Sequence, residues 1–256
     1  MVRVIINAKD VRYERTKYFN KKTFDNFIVS RSNVEAYSAC VDLVNDPKGK
    51  LVAIYGANSY GKSHLLYAIK NALVEGHSDL SIRFTNYDDV ISQYITSLHN
   101  REHKAFVEEL LETDILIMDN MQFIGGKEAT QDEVADWINK LVEAGKSVVI
   151  AFDRPIKYFS PLLRGVEERH PDGCTVAEVK RPDRFLRKKY IEFLLTEYPV
   201  ILPHFLKGYI IISRRMPFSA LTGFVHKCSL LEKQKGRALS PRELRECLSG
   251  YMHKEV

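Results

Sequence analysis

The run Gly56-Ala57-Asn58-Ser59-Tyr60-Gly61-Lys62-Ser63 constrains this chain more than any other stretch of it. It fits G-x-x-x-x-G-K-[ST], and the spacing has a mechanical reason. Backbone N–H groups must converge on phosphates, and glycines permit the turn that aims them. Leu51 to Tyr55, just before, is a short apolar run ending in glycine, which reads as a buried strand. Lys62 to Leu73, just after, puts Leu65, Leu66, Ile69 and Leu73 on one helix face. The start of that helix points its positive dipole end at the same place. Gly56, Ala57, Asn58, Ser59, Tyr60, Gly61, Lys62, Ser63 and His64 are therefore the candidate nucleotide-binding residues. Lys62 is expected to neutralise the β- and γ-phosphates and the Ser63 hydroxyl to hold Mg²⁺, so the expected cofactors are ATP or ADP with Mg²⁺. The alternative is a glycine turn with an incidental Lys-Ser.

The remaining pattern sets the fold class. Ser81 to Thr85, Asp114 to Met118, Ser147 to Phe152 and Thr175 to Val179 read as further strands, and Val2 to Ile6 could be a short one. Asp88 to Leu98, Lys104 to Leu111 and Gln131 to Ala144 read as helices between them. Alternating strands and helices argue for a parallel α/β sheet flanked by helices. After Pro182 only helices follow: Asp183 to Leu195, Pro203 to Arg214, Phe218 to Gln234 and Pro241 to Leu248. The expected organisation is an N-terminal extension over 1–22, a nucleotide-binding α/β domain over 23–180 and a small all-helical lid over 181–256.

A phosphate-loop site needs an acid at the end of another strand to hold the metal. Asp119 follows Ile115-Leu116-Ile117-Met118 directly and fits that place, though an Asp there can also simply open a turn. The metal set is thus Ser63 and Asp119. Hydrolysing relatives usually carry a second acid at the next position, where this chain has Asn120. An amide can hold a water but cannot accept its proton at neutral pH. Slow or absent turnover is expected, which leaves at most a weak ATPase.

Several segments together resemble the ATP-binding module of the bacterial replication initiator DnaA, an AAA+ ATPase. They are Thr23-Phe24-Asp25-Asn26-Phe27 with Ser32-Asn33, the loop continuing into Ser63-His64-Leu65-Leu66, Ile117 through Phe123, Gly126 through Glu133, and Asp153-Arg154-Pro155. The resemblance covers residues 23 to about 180 and implies an AAA+ fold with its lid. By that resemblance Asp153 looks like the γ-phosphate sensor, or else a turn Asp. Arg169 falls where the family places an arginine finger, or else is a solvated helix arginine. Asp119, Asn120, Asp153 and Arg169 are accordingly the candidate catalytic set. The helices over Asp88 to Leu111 look like the family's initiator-specific insertion, which implies contact with single-stranded DNA. Ile95 and Lys127 stand at DNA-contacting places. Departures are also visible. Ser219 stands where the lid usually carries a sensor arginine, and Ala129 where a basic residue is usual. The chain is expected to be a fragment of a diverged initiator or a stand-alone paralogue of the Hda type.

The resemblance implies an ATP-dependent assembly switch in replication initiation or its regulation, self-associating or assembling with another AAA+ replication protein. Two rivals stay open: a helicase-loader-like ATPase, and a degenerate protein-docking module without turnover. No apolar run approaches membrane-spanning length, and the four cysteines form no CxxC pair, which suits free thiols in a cytoplasmic protein. A net charge of +5 permits a nucleic-acid partner without demanding one. Lys180, Arg181, Arg184, Arg187, Lys188 and Lys189 cluster before the helical tail and read as a solvated face or as phosphate contacts. Tyr94 and Phe106 could stack on bases or be buried between helices.

Overall fold

The computed structural model describes residues 3–6, 22–77, 79–154, 156–213 and 216–251. The rest of the N-terminal stretch, Pro155 and Arg214 lie outside the described residues. The chain divides into two compact units: Met1–Phe27 with Asn33–Ala57 and Gly61–Lys180, and Ile28–Ser32 with Asn58–Tyr60 and Arg181–Val256.

The first unit is a parallel sheet of six described strands: β1 (Arg3–Ile6), β2 (Leu51–Tyr55), β3 (Ser81–Asn86), β4 (Ile115–Asp119), β5 (Ser147–Phe152) and β6 (Cys174–Glu178). Their order is β1-β3-β4-β5-β2-β6, and every pairing is parallel. The three central strands β4, β5 and β2 are buried almost throughout. That matches their unbroken apolar runs, since a strand covered on both faces has no polar side to show. The outer strand β6 exposes Thr175 and Val176.

Helices α1 (Val34–Asn45), α2 (Lys62–Gly76), α3 (Tyr87–His99), α4 (His103–Leu111), α5 (Glu128–Glu143) and α6 (Ser160–Glu167) connect the strands. Two differences from the sequence pattern have physical causes. Helix α1 marks its inward face weakly, because Ala36, Ala39 and Cys40 are small and only Leu43 is large. Helix α5 begins three residues before Gln131, because a 3₁₀ turn over Met121–Ile124 brings the chain round early. Trp137 of α5 is buried and meets Tyr94 at 5.1 Å and Phe106 at 5.4 Å between ring centroids. Phe106 is thus buried, and Tyr94 is half-buried against the same cluster. The N-terminal strand β1 hydrogen-bonds with β3, with Ile5 opposite Arg83.

The second unit holds α7 (Arg184–Glu197), α8 (His204–Ile212), α9 (Phe218–Lys235) and α10 (Pro241–Ser249). Its core gathers Ile191, Leu194, Leu206, Ile210, Leu221, Phe224 and Leu244. Asp183 caps α7 by accepting from the Leu186 N–H at 2.8 Å, and Ser240 caps α10 in a reciprocal box with Glu243. Each cap is worth about 1 kcal/mol. Arg187, which the sequence groups with the surface bases, is buried instead. Its guanidinium donates to the Ile210 carbonyl at 2.9 and 3.2 Å and to the Met216 carbonyl at 2.9 Å. No helix of the described residues is long and apolar enough to cross a membrane.

Candidate functional site

The sheet order makes the site. β4, β5 and β2 are neighbours, so their carboxyl ends bring Asp119, Asp153 and Gly56 to one edge. That edge is where open parallel sheets take ligands. Gly56 leaves β2 with φ 151°, and a Cβ there would lie 2.2 Å from the Val179 carbonyl oxygen. Only glycine lets the loop start this close to the end of β6. Gly61 closes the loop at φ 108°, with the Phe27 ring 3.1 Å from where its Cβ would be. Between them, Ser59 takes a left-handed conformation at φ 63°.

Helix α2 begins at Gly61 without a side-chain cap and without an acid in its first turn. Its leading N–H groups are thus offered to an external acceptor rather than to the chain's own oxygens. Lys62 is buried, and its ammonium donates to the carbonyls of Gly56 at 2.7 Å and Ala57 at 3.1 Å. Burial lowers its pKa, while the carboxylates of Asp119 and Asp153 pull it back up. The Ser63 hydroxyl donates to Asp119 Oδ2 at 2.6 Å, and Asp119 Oδ1 accepts the Asn120 N–H at 2.8 Å. A hydroxyl and a buried carboxylate held side by side form a hard oxygen pair, which suits Mg²⁺. Uncapped helix start, buried lysine and oxygen pair together fit a nucleotide polyphosphate with its metal.

The other sequence-derived residues are placed less closely. Asn120 is exposed, in the left-handed region at φ 58°, a conformation asparagine accepts more readily than most side chains. Asp153 is half-buried just beyond β5. His64 turns away from the loop: its Nε2 is 3.0 Å from the Thr23 carbonyl, and its ring stands edge-on to Phe27 at 5.1 Å. Burial pushes its pKa down to about 4, so it is neutral at neutral pH and acts as a strut. Arg169 is exposed in the turn after α6, with Glu143 3.9 Å away. Ile95 is exposed on α3, while Lys127 donates to the Tyr87 hydroxyl at 2.7 Å. Ser219 is exposed in the first turn of α9, in the helical unit.

One neighbour of the site is missed by the sequence reading. Lys22 lies with its ammonium 5.2 Å from the centre of the Tyr67 ring, and its carbonyl accepts from Asn71 at 2.8 Å. Burial pushes its pKa down to about 8, with Asp119 opposing the shift. The only available signal was a lysine immediately before Thr23-Phe24-Asp25-Asn26-Phe27. The strap from Lys22 to Phe27 is thereby pinned along α2, through Asn71, His64 and the Phe27 ring.

A family model described as the bacterial DnaA ATPase domain matches residues 19–177. The chromosomal replication initiator protein DnaA of Caldanaerobacter subterraneus subsp. tengcongensis is 32% identical over 165 residues, covering 64% of this chain and 37% of that protein. The crystal structure of domain III of the Thermotoga maritima replication initiation protein DnaA superposes with a TM-score of 0.79 at 27% identity, covering 91% of this chain and 98% of that one. A structure of the replication initiator DnaA bound to AMPPCP and single-stranded DNA superposes with a TM-score of 0.71 at 25% identity, covering 88% of this chain and 68% of that one. The chain spans between 31% and 58% of the length of the curated relatives it matches first. With the family model matching most of the α/β unit and the fold superposing on that domain III, the chain belongs to the bacterial DnaA ATPase domain family.

Proposed function

We propose that the chain is a nucleotide-dependent assembly switch of the DnaA type, acting in the initiation of DNA replication or its regulation. It binds ATP or ADP with Mg²⁺ and hydrolyses ATP slowly. The observation that carries this reading is the 2.6 Å bond from Ser63 to Asp119 beside a buried Lys62 that is held by the loop's own carbonyls. The relative bound to AMPPCP and single-stranded DNA supports it.

In this reading the loop N–H groups and the start of α2 bind the phosphates, and the Lys62 ammonium neutralises the β- and γ-oxygens. Ser63 and Asp119 would hold Mg²⁺, which supplies charge neutralisation across the phosphates when bound. Asp153 sits at the same sheet edge, where it can respond to the terminal phosphate. Asn120 can orient a water but cannot take its proton, which keeps turnover slow. Arg169, exposed and loosely paired with Glu143, would act on a neighbouring copy. ATP and ADP then differ by the inter-subunit geometry each one favours. Single-stranded DNA and another AAA+ replication protein are the expected partners. The free cysteines support a reducing, cytoplasmic setting.

Sedimentation of the chain with ATP, ADP or no nucleotide, each with and without single-stranded DNA, tests the switch. Assembly that needs ATP and is lost in Arg169→Ala is the expected result. A monomer under all conditions would refute the switch. A second reading, a docking module that holds nucleotide passively, is favoured by Asn120 and Ser219. It requires labelled ATP to bind without any change in assembly.

A further inference from the structure

Charge is divided unevenly along the chain. Residues 181–256 hold 15 Lys and Arg against seven Asp and Glu, a net of +8, while residues 1–180 hold 23 against 26, a net of −3. The overall +5 hides this asymmetry, and an asymmetry of this kind points to a polyanion. Within the helical unit, α7 and α8 form an antiparallel hairpin. Their connection is short, and Arg187 near the start of α7 bonds Ile210 near the end of α8. With Arg187 buried, the hairpin's outer side carries the remaining bases. Arg184, Lys188 and Lys189 on α7 are exposed, and Lys207 on α8 is half-exposed.

Both helices also expose aromatic rings. Phe185 is 56% exposed and Phe205 62%, and Phe193 and Tyr209 are also open to solvent. On α7 the two kinds of residue interleave. Lys188 and Lys189 lie three and four positions after Phe185, one turn along the same face, and Phe193 stands one turn further, about 12 Å from Phe185 along the axis. We propose that this α7–α8 face is a binding surface for single-stranded nucleic acid, with bases stacking on Phe185 and Phe205 and phosphates meeting Lys188, Lys189, Arg184 and Lys207. The interleaving selects this ligand. A lipid surface favours a helix with its basic residues on one face and its rings on the opposite one. A single strand presents flat bases and phosphates alternately, and both kinds of side chain are used. The inference goes beyond the nucleotide-site reading and does not require it.

Two exposed acids, Glu192 and Glu197, also stand on α7. Glu192 lies 3.1 Å from the Lys189 ammonium and 4.0 Å from that of Lys188, so it competes with a phosphate for both. The test is fluorescence anisotropy of a labelled oligothymidylate of about 20 nucleotides, titrated with the full chain between about 50 and 200 mM salt. Double reversal, Lys188→Glu with Lys189→Glu, should weaken binding at least roughly tenfold and flatten the log–log salt slope by about 1.4, the share of two phosphate contacts on a single strand. Phe185→Ala should weaken binding about fivefold or more and leave the slope unchanged. Glu192→Gln should tighten binding. All of these positions are exposed, and circular dichroism melting will verify that each variant folds. Lys62→Met, which removes nucleotide binding in the reading above, should leave this binding in place, so the two ideas fail separately. Unchanged affinity and slope in the double reversal would overturn the inference. So would loss of binding to anionic phospholipid vesicles while oligothymidylate binding stays intact.

Discussion

Two groups of residues in the α/β unit are built differently. In the phosphate-loop corner each functional side chain already holds a protein partner: Lys62 the loop carbonyls, Ser63 the Asp119 carboxylate, and Asp119 a backbone N–H as well. At the positions assigned to turnover and to contact with a neighbour, the side chains face solvent. Asn120 is exposed in a left-handed turn, and Arg169 has only a loose ion pair with Glu143. In the proposed reading, nucleotide binding is pre-organised within the chain, whereas Asn120 and Arg169 would act only on a water or a neighbour that the chain itself does not supply. Pre-organisation of this kind lowers the entropy lost on binding.

The comparison can be broken first at Lys62. Lys62→Met removes the buried ammonium while keeping an apolar stem in its place. It should weaken labelled-ATP binding by about a hundredfold or more, since a charge-assisted contact to phosphate is lost in a buried setting. Binding within a few-fold of the unaltered chain would mean that the corner is not the nucleotide site. The next largest change should come from Asn120→Asp. An acid restored at that position could accept a proton from water, and general-base assistance is commonly worth about a hundredfold or more. Phosphate release rising by that order would place the defect in turnover at one atom. A flat rate would move it elsewhere, with Ser219 as the next suspect.

Asp119→Asn sharpens the binding side. It keeps the shape of the side chain and removes the charge that would face Mg²⁺. Roughly tenfold loss of the Mg²⁺-dependent part of ATP affinity is expected, with metal-free binding changed little. Isothermal titration with and without chelator separates the two parts.

The smallest expected effect lies in the helical unit. The Glu243 carboxylate is held below the usual carboxylate range by Arg237 first, then by Lys235 and the Ser240 cap. A carboxylate with a lowered pKa in the folded chain adds stability above its unfolded value and loses it as pH falls through that range. Glu243→Gln should therefore lower the melting temperature slightly at neutral pH and converge with the unaltered chain in acid. Parallel melting curves down to acid pH would show that the cap contributes nothing through charge.

Most of the sheet and the loop could be read from the residues because burial on both faces leaves a continuous apolar signature. The runs Leu51–Tyr55, Ile115–Met118 and Ser147–Phe152 carry it. The sequence spacing singles out Lys62, Ser63 and Asp119 because phosphate and metal chemistry asks for those types at those places, and the structure brings the three to one sheet edge. The less legible features share a cause: their meaning depends on what packs against them. Helix α1 buries mainly Ala36, Ala39 and Cys40, small side chains that outline an apolar face weakly. His64 lies beside the loop in sequence but turns its ring to Thr23, a direction that no spacing rule fixes. Lys22 acquires its place only because Asn71 and Tyr67 of α2 meet it. The placement of Arg187 was equally hidden, since a basic run says nothing about which member points inward.

That last residue has a consequence for any titration with a polyanion. The Arg187 guanidinium gives its donors to the Ile210 and Met216 carbonyls, so it neutralises no phosphate and displaces none of the counterions condensed on an arriving strand. The salt dependence of binding should therefore count one charge fewer than the basic run suggests. Arg187→Lys, which supplies a compact ammonium on a flexible stem in place of a planar fork, should alter the melting of the hairpin and leave that dependence as it was.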